Sequence, residues 1–304
     1  MKTRIGITSG EVKGIGPELI LKILNDKKFS SEFELIPFIG EDIILSLSRK
    51  FGISFPDSYN FITPGLNAKE DYSLSSIRTA LEWLSNKKID ALVTMPILKN
   101  SLNGYSGHTE YLEDFDHRPS AMMMCGKFFR CILITNHLPV RSISDSITKG
   151  LIIKKISIGY ESLKRDFGIH NPKIAVLSLN PHNGEGGLLG DEEMKIIEPA
   201  LKELREKNID VQGTFSSDGF FAERNFEKFD LTVGMYHDQI LTPFKYINNE
   251  SGVNFTAGLS FVRTSPAHGT AFDIAGSFIA NDSSSKEAII LADKIFKNRN
   301  NQNG

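Results

Sequence analysis

The sequence predicts an α/β protein whose strands alternate with helices around a mainly parallel sheet. Two observations carry that expectation. Short apolar runs rich in β-branched residues recur along the chain, and longer segments with helical periodicity separate them. No internal repeat is present and no linker marks a domain boundary, which is consistent with sub-domains built from interleaved parts of the chain.

The first strand is expected at Arg4–Thr8, followed by a glycine turn and a helix over Pro17–Leu24, since Pro suits a first helical position. Further strands are expected at Phe33–Gly40, Asp90–Met95, Phe129–Asn136, Lys173–Leu179 and Asp230–Met235. Helices are expected at Ser76–Asn86, Lys149–Phe167, Asp191–Glu206 and Ser285–Phe296, the third of these beginning at Asp191, Glu192 and Glu193, whose charges complement a helix N-terminus. The Asn-rich tail Lys297–Gly304 has no apolar residue and is expected to fray.

The 304 residues are 40% hydrophobic and 24% charged, enough for about two domains of ~150 residues and a sizeable core. Lys and Arg total 35 against 37 Asp and Glu, so the net charge of −2 offers nothing to nucleic acid or an anionic membrane. The N-terminus turns polar at Ser9, too early for a signal peptide, and no apolar run approaches the ~20 residues of a membrane helix. Cys125 and Cys131 lie six apart, which is not a C-x-x-C spacing. Both read as core residues of a protein in the reduced cytoplasm.

Three histidines stand out. His137, His182 and His237 each follow an expected strand run within three residues. In parallel sheets the carboxyl ends of the strands line the ligand crevice, so residues 45 and 55 apart in sequence can converge there. Three imidazoles would hold a divalent metal and leave coordination positions open. Singly, such a histidine is more often a hydrogen-bonded loop residue; repetition at three of only seven histidines favours a shared role.

The loop Thr8-Ser-Gly-Glu-Val-Lys-Gly-Ile-Gly-Pro17 joins the first strand to the first helix, where its amides would either face an anion or close a ligand-free turn. It is not G-x-G-x-x-G, and neither a Walker motif nor a G-x-S-x-G elbow is present. In Tyr105-Ser-Gly-His-Thr-Glu110 the imidazole of His108 and the hydroxyl of Thr109 would hold a polar substrate or move a proton, unless Thr109 or Ser106 simply caps a helix. Lys245, Asn254 and Arg263 would cradle a phosphate or stand as solvated surface groups. Asp218 and Asp238 are candidate proton carriers, or partners that fix an imidazole tautomer.

Taken together, these segments resemble the 4-hydroxythreonine-4-phosphate dehydrogenases of vitamin B6 biosynthesis. The resemblance rests on Ile7-Thr-Ser-Gly-Glu-Val-Lys-Gly-Ile-Gly-Pro-Glu18, Ala91-Leu-Val-Thr-Met-Pro96 with Lys99, Gly107-His-Thr-Glu110, Thr135-Asn-His-Leu-Pro139 and Leu179-Asn-Pro-His-Asn-Gly-Glu-Gly-Gly187. It continues through Met235-Tyr-His-Asp-Gln239, Gly252-Val-Asn254, Phe261-Val-Arg-Thr-Ser265 and His268-Gly-Thr-Ala271. The chain departs from the family at Val12-Lys13, where Pro-Ala is usual, at Ser9, and in a shortened segment before residue 76.

The resemblance implies a fold similar to isocitrate and isopropylmalate dehydrogenases, with two α/β/α sub-domains around a central cleft. These would comprise approximately residues 1–110 plus 251–304, and 111–250. It implies a cytoplasmic homodimer with a shared active site, and NAD or NADP bound without a G-x-G-x-x-G loop. His137, His182 and His237 would be ligands of a divalent metal, zinc, magnesium or cobalt. His108, Thr109, Lys245, Asn254 and Arg263 would contact a phosphorylated substrate, with His108, Asp218 and Asp238 as candidates for proton transfer. The implied reaction is oxidation and decarboxylation of 4-phosphooxy-L-threonine to 3-amino-1-hydroxyacetone phosphate. Competing expectations are a relative acting on threonate or erythronate phosphate, a hydrolase with a His₃ metal site, and a binding protein on an enzyme fold.

Overall fold

The structure is a computed structural model describing residues 2–56, 58–65, 71–102, 104–105, 107–248 and 251–302. Among these lie ten strands: β1 (Arg4–Thr8), β2 (Glu34–Phe38), β3 (Ala91–Val93), β4 (Ala121–Cys125), β5 (Arg130–Leu133), β6 (Lys173–Leu177), β7 (Asp210–Phe215), β8 (Leu231–Gly234), β9 (Val253–Ala257) and β10 (Val262–Pro266). The α-helices are α1 (Gly16–Asn25), α2 (Lys27–Ser30), α3 (Glu41–Phe51), α4 (Tyr72–Ser85), α5 (His108–Asp116), α6 (Ile143–Ser146), α7 (Lys149–Arg165), α8 (Glu198–Glu206), α9 (Ser217–Ala222), α10 (His237–Asn248) and α11 (Ser283–Asn301). Two compact units interleave along the chain, one of Met1–Phe115 with Ser260–Asn301, the other of Asp116–Leu259 with Gln302–Gly304. Ser106 and the last two residues of the tail lie outside the described residues. Among the described residues no helix is long and apolar enough to cross a membrane.

In the first unit β2, β1, β3 and β10 pair in that order, all parallel. Ile5 and Ile7 of β1 are fully buried, and Gly6 between them is required by close packing. A Cβ there would stand 2.6 Å from Ile89 Cδ1 and 2.8 Å from Phe38 Cε2. The Asp71 side chain caps α4 by accepting the Ser73 amide at 2.8 Å. The turn after β1 closes on itself: the amides of Glu11, Gly14 and Ile15 donate to the carbonyls of Pro96, Glu11 and Thr270, and that of Lys13 to Glu11 Oε1. These amides are therefore spent internally, and the anion-facing alternative for this loop gives way to a tight strand-to-helix turn. Gly10 sits at φ +65 with Met95 Cβ 2.7 Å from where its Cβ would be, which explains the glycine.

In the second unit the order is β9, β4, β5, β8, β6, β7. The sheet is mixed, because β4 runs antiparallel to both β9 and β5, whereas β5, β8, β6 and β7 are parallel. Strand β4, Ala-Met-Met-Met-Cys, is buried at every position and lies outside the strands expected from the sequence. Its methionines are unbranched at Cβ, so the β-branched signal is missing although burial on both faces is complete. β7, β9 and β10 likewise add to the expected set. Pairing of β9 with β4 assigns residues up to Leu259 to this unit. Cys125 and Cys131 are buried free thiols on the β4–β5 hairpin, and burial pushes Cys125 up to about 12.

Helix α7 starts where Thr148 accepts the Leu151 amide at 3.2 Å. It crosses β5 and β8 at Gly159, where a Cβ would stand 2.8 Å from Leu231 Cδ2 and 3.2 Å from Ile132 Cδ1. The tail expected to fray is helical to Asn301, with Arg299 Nη1 donating to the Ser260 carbonyl at 3.2 Å and Lys297 paired to Asp293 at 2.7 Å. α3, α5 and α10 lie outside the helices expected from the sequence; α10 carries Pro243 inside it, a residue that reads as a helix breaker. Because Gly159 meets side-chain ends in a filled layer, Gly159→Val should lower stability by roughly 1–3 kcal/mol through overpacking. A urea denaturation midpoint equal to the parent's would remove Gly159 as a packing requirement.

Candidate active site

The site begins with a strand order. β5, β8 and β6 lie side by side and parallel, so the segments leaving their carboxyl ends emerge at one edge of the second unit. His137, His237 and His182 follow those three strands in turn. Pairing continues past β5 and β8: the Ile134 amide donates to Gly234 O at 2.9 Å, and the Thr135 amide and hydroxyl both donate to Met235 O. That extension brings the His137 and His237 rings to 5.7 Å between centroids.

His237 opens α10, and its Nδ1 donates to the Asp238 carboxylate at 2.6 Å. This bond leaves Nε2 as the free ring nitrogen, the arrangement in which a carboxylate orients an imidazole ligand. His182 stands apart from this pair, in a pocket of about 380 Å³ lined by Asn180, Ser216, Asp218, Tyr236 and Gln239 among others. Asp218 accepts the Ser216 hydroxyl at 2.5 Å. That bond, the Gly219 amide and nearby His182 hold its carboxyl below the usual range. Among the described residues no group of three His, Cys, Asp or Glu side chains gathers closely enough to hold a metal ion. The donor chemistry nevertheless fits a divalent transition ion: two facing imidazoles, one of them oriented by a carboxylate.

His182 is held by backbone winding. Residues 182 to 186 all have positive φ, and three of the five, His182, Asn183 and Glu185, are not glycine. Left-handed conformation costs an L-residue on the order of 1–2 kcal/mol. The compensation comes from Glu193, which is buried and accepts the amides of Leu179 and Asn180 at 2.8 Å each and Asn180 Nδ2 at 2.9 Å. Glu193 thus serves the His182 loop rather than the start of its own helix, the role expected from the sequence. Gly184 packs directly on it, since a Cβ there would stand 2.8 Å from Glu193 Oε2.

Arg263, His108 and Thr109 belong to the first unit. Arg263, on β10, is fully buried, and its Nε and Nη2 donate to Thr94 Oγ1 at 3.0 and 2.6 Å. Burial pushes it down to about 9, opposed by the nearby Glu110 carboxylate, so desolvation of the guanidinium outweighs that attraction. His108, at the start of α5, is held well below the ordinary histidine range by burial and then by Arg263. Its Nε2, the Glu110 Oε2 and the His268 Nε2 are buried without a hydrogen-bond partner. Buried polar atoms are normally paired, so these three mark where a polar ligand would be satisfied. Thr109 is buried on the same first turn.

Asn254 lies on β9 with its Oδ1 buried and unpartnered, whereas Lys245 is exposed on α10; both belong to the second unit. Thr94, Glu110, Glu193 and Gln239 are contributors that residue type alone does not single out. Three of them sit inside the motifs that carry the family resemblance, so adjacency to a proposed ligand was the available signal.

Two outcomes follow from these bonds. Glu193→Ala strands the Leu179 and Asn180 amides, so it should cost roughly 1.5–3 kcal/mol and speed hydrogen exchange across residues 179–187. Unchanged exchange there would show that the loop holds without Glu193. For His108 the folded pKa lies below the unfolded one. Its neutral form thus supports stability fully above about pH 6.5, and that support is lost as the pH falls toward the folded value. The His108 ring proton resonances should stay flat between about pH 7.5 and 6; a midpoint inside that window would contradict the burial argument.

Known proteins resemble this chain in sequence and in fold. A sequence model of the family described as pyridoxal phosphate biosynthetic protein PdxA matches residues 57–292. The 4-hydroxythreonine-4-phosphate dehydrogenase of Bacteroides thetaiotaomicron is 41% identical over 329 residues, spanning 98% of this chain and 90% of that protein. The crystal structure of a 4-hydroxythreonine-4-phosphate dehydrogenase from Klebsiella pneumoniae superposes with a TM-score of 0.83 at 32% identity, covering 97% of this chain and 98% of that one. An isocitrate dehydrogenase from Methylococcus capsulatus is only 14% identical but shares the fold, with a TM-score of 0.54 over 98% of this chain and 87% of that one. The isocitrate dehydrogenase-like α/β fold expected from the sequence is thus the fold observed, and the chain belongs to the PdxA family of pyridoxal phosphate biosynthetic proteins.

Proposed function

We infer that the chain oxidises and decarboxylates 4-phosphooxy-L-threonine to 3-amino-1-hydroxyacetone phosphate, with NAD or NADP as hydride acceptor, in pyridoxal phosphate biosynthesis. The observation that carries the reading is the set of three histidines leaving three adjacent parallel strands, two with facing rings and one oriented by Asp238. The names of the relatives supply the substrate class. The family's divalent cation, zinc, magnesium or cobalt, would be held by His137, His182 and His237 and would supply Lewis acidity toward the substrate's hydroxyl and the developing enolate.

The chain's own residues account for the remaining tasks. Arg263, desolvated and held by Thr94, binds the phosphate, with Thr109 of the same unit as a further contact; this anchors the substrate remote from the carbon that reacts, and Lys245 and Asn254 are phosphate contacts by the family resemblance alone. His108, neutral because it is buried, has an unpartnered Nε2 that accepts a proton from the substrate. Asp238 keeps His237 in one tautomer, and Asp218, ionised by its hydrogen bonds, faces the His182 pocket as a second proton carrier. In the overall reaction the C3 alcohol loses a hydride to the dinucleotide and a proton to the protein. The C–C bond to the carboxylate then breaks, carbon dioxide leaves, and the enolate takes up a proton.

The working unit is a homodimer with a shared active site. Two features support this. Among the described residues of one chain no three such side chains gather closely enough to hold an ion, and the segments after His137 and His182 expose Val140 and Leu188 at 79% and 78%. Those segments are tied to each other by the Ser144 hydroxyl, which donates to Glu192 at 2.5 Å. A second copy would cover the apolar side chains and complete the histidine set. The cytoplasm, where Cys125 and Cys131 stay reduced, is the matching compartment.

Absorbance at 340 nm tests the reaction: the chain, zinc, NAD or NADP and 4-phosphooxy-L-threonine should generate reduced dinucleotide. Phosphate release without that signal would point instead to the hydrolase. Threonate and erythronate phosphates, run in parallel, decide the substrate. His182→Ala should abolish metal-dependent turnover. Arg263→Met should raise KM for the phosphorylated substrate roughly tenfold or more while zinc binding persists, and an unchanged KM would remove Arg263 from the phosphate site.

A further inference from the structure

Gln239 lies on the first turn of α10, two residues past His237, and makes three hydrogen bonds to three different segments of the second unit. Its Oε1 accepts the Met235 amide at 2.6 Å. Its Nε2 donates to the Ser178 carbonyl at 2.5 Å and to the Ser217 hydroxyl at 2.8 Å. A primary amide has one carbonyl and two N–H donors, and all three are engaged. The partners are not interchangeable. A backbone N–H demands an acceptor and a backbone carbonyl demands a donor, so their positions fix which way the amide faces.

Each partner sits next to a residue of the proposed chemistry. Met235 immediately follows β8 and leads directly into Tyr236 and His237. Ser178 follows β6 and opens the loop that carries His182; its own amide donates to Phe215 O, which ties the same loop to β7. Ser217 precedes Asp218 at the start of α9. Gln239 also lines the pocket that holds His182, Asp218 and Tyr236. Each of these segments has already left its strand, so one side chain takes the place of ladder rungs among the three.

We propose that Gln239 is a positioning residue that sets His182, His237 and Asp218 relative to one another by bridging the ends of β8 and β6 and the start of α9. The geometry itself does not depend on the reaction assigned above; the catalytic consequence rests on that reading. Residue chemistry narrows the choice at this position. A glutamate would keep the acceptor for Met235 but turn a second oxygen on the Ser178 carbonyl. A leucine, apolar and one atom shorter, would leave both backbone groups unpaired.

The test uses the full-length chain, metal-free, with isotope-labelled histidine rings read by NMR in the parent, Gln239→Leu, Gln239→Glu and Ser217→Ala. Gln239→Leu should move the His182 and His237 ring signals together and leave those of His117 and His170 in place. Gln239→Glu should move His182 while largely sparing His237, because the Met235 bond survives. Zinc added alone, measured by competition with a chelating dye, should bind Gln239→Leu about tenfold or more weaker than the parent, the usual scale for loss of a group that orients ligands. With substrate, kcat should fall more than KM rises. If Gln239→Leu does not fold, Gln239→Glu and Ser217→Ala decide the matter on the His182 signal, which should shift in both. A His182 signal that stays put in the Gln239 variants, or a shift confined to neighbouring His237, overturns the proposal. A parent chain that binds no zinc would sink the metal reading, and the histidine spectra would still decide whether Gln239 positions the rings.

Discussion

Parallel pairing of β5, β8 and β6 is the constraint on which the site depends. Parallel strands in one sheet must point the same way, so whatever follows each of them arrives at a single edge, however far apart in sequence. The chain places an imidazole within a few residues of each of these three ends. What remains is local: extra rungs between residues 134–135 and 234–235, a carboxylate behind His237, and a wound loop under His182. None of these would bring the His137 and His237 rings near one another if β5 or β8 were reversed.

Some of this was legible in the sequence and some was not, for identifiable reasons. The strands that carry the histidines were readable because Ile, Val and Leu cluster in them, and the first strand was located to the residue at Arg4–Thr8. β4 escaped because three consecutive methionines hide a buried strand, and α10 because Pro243 masks a helix. The histidines themselves could be picked out by position. Their supports could not: Glu193 and Gln239 act through hydrogen bonds to backbone groups 4 to 61 residues away, and backbone partners leave no trace in residue type.

The first unit solves a different electrostatic problem. Arg263 is buried with one hydroxyl accepting from two of its nitrogens, and His108 is kept neutral beside it. A cation withdrawn from water is costly to the fold, and the hydroxyl of Thr94 offsets part of that cost. His108 Nε2, Glu110 Oε2 and His268 Nε2 are likewise polar atoms withdrawn from water, each without a hydrogen-bond partner.

The left-handed run at residues 182–186 has a consequence for how this chain tolerates change. An ordinary loop absorbs an added or lost residue by bulging. A wound loop cannot, because each residue rotates everything after it about the winding axis, and here the winding is of the hand that L-residues resist. One insertion between His182 and Gly187 would turn the loop against the Glu193 clasp by a large fraction of a turn. The segment therefore works as a screw thread whose pitch, not its length, sets the reach of the imidazole.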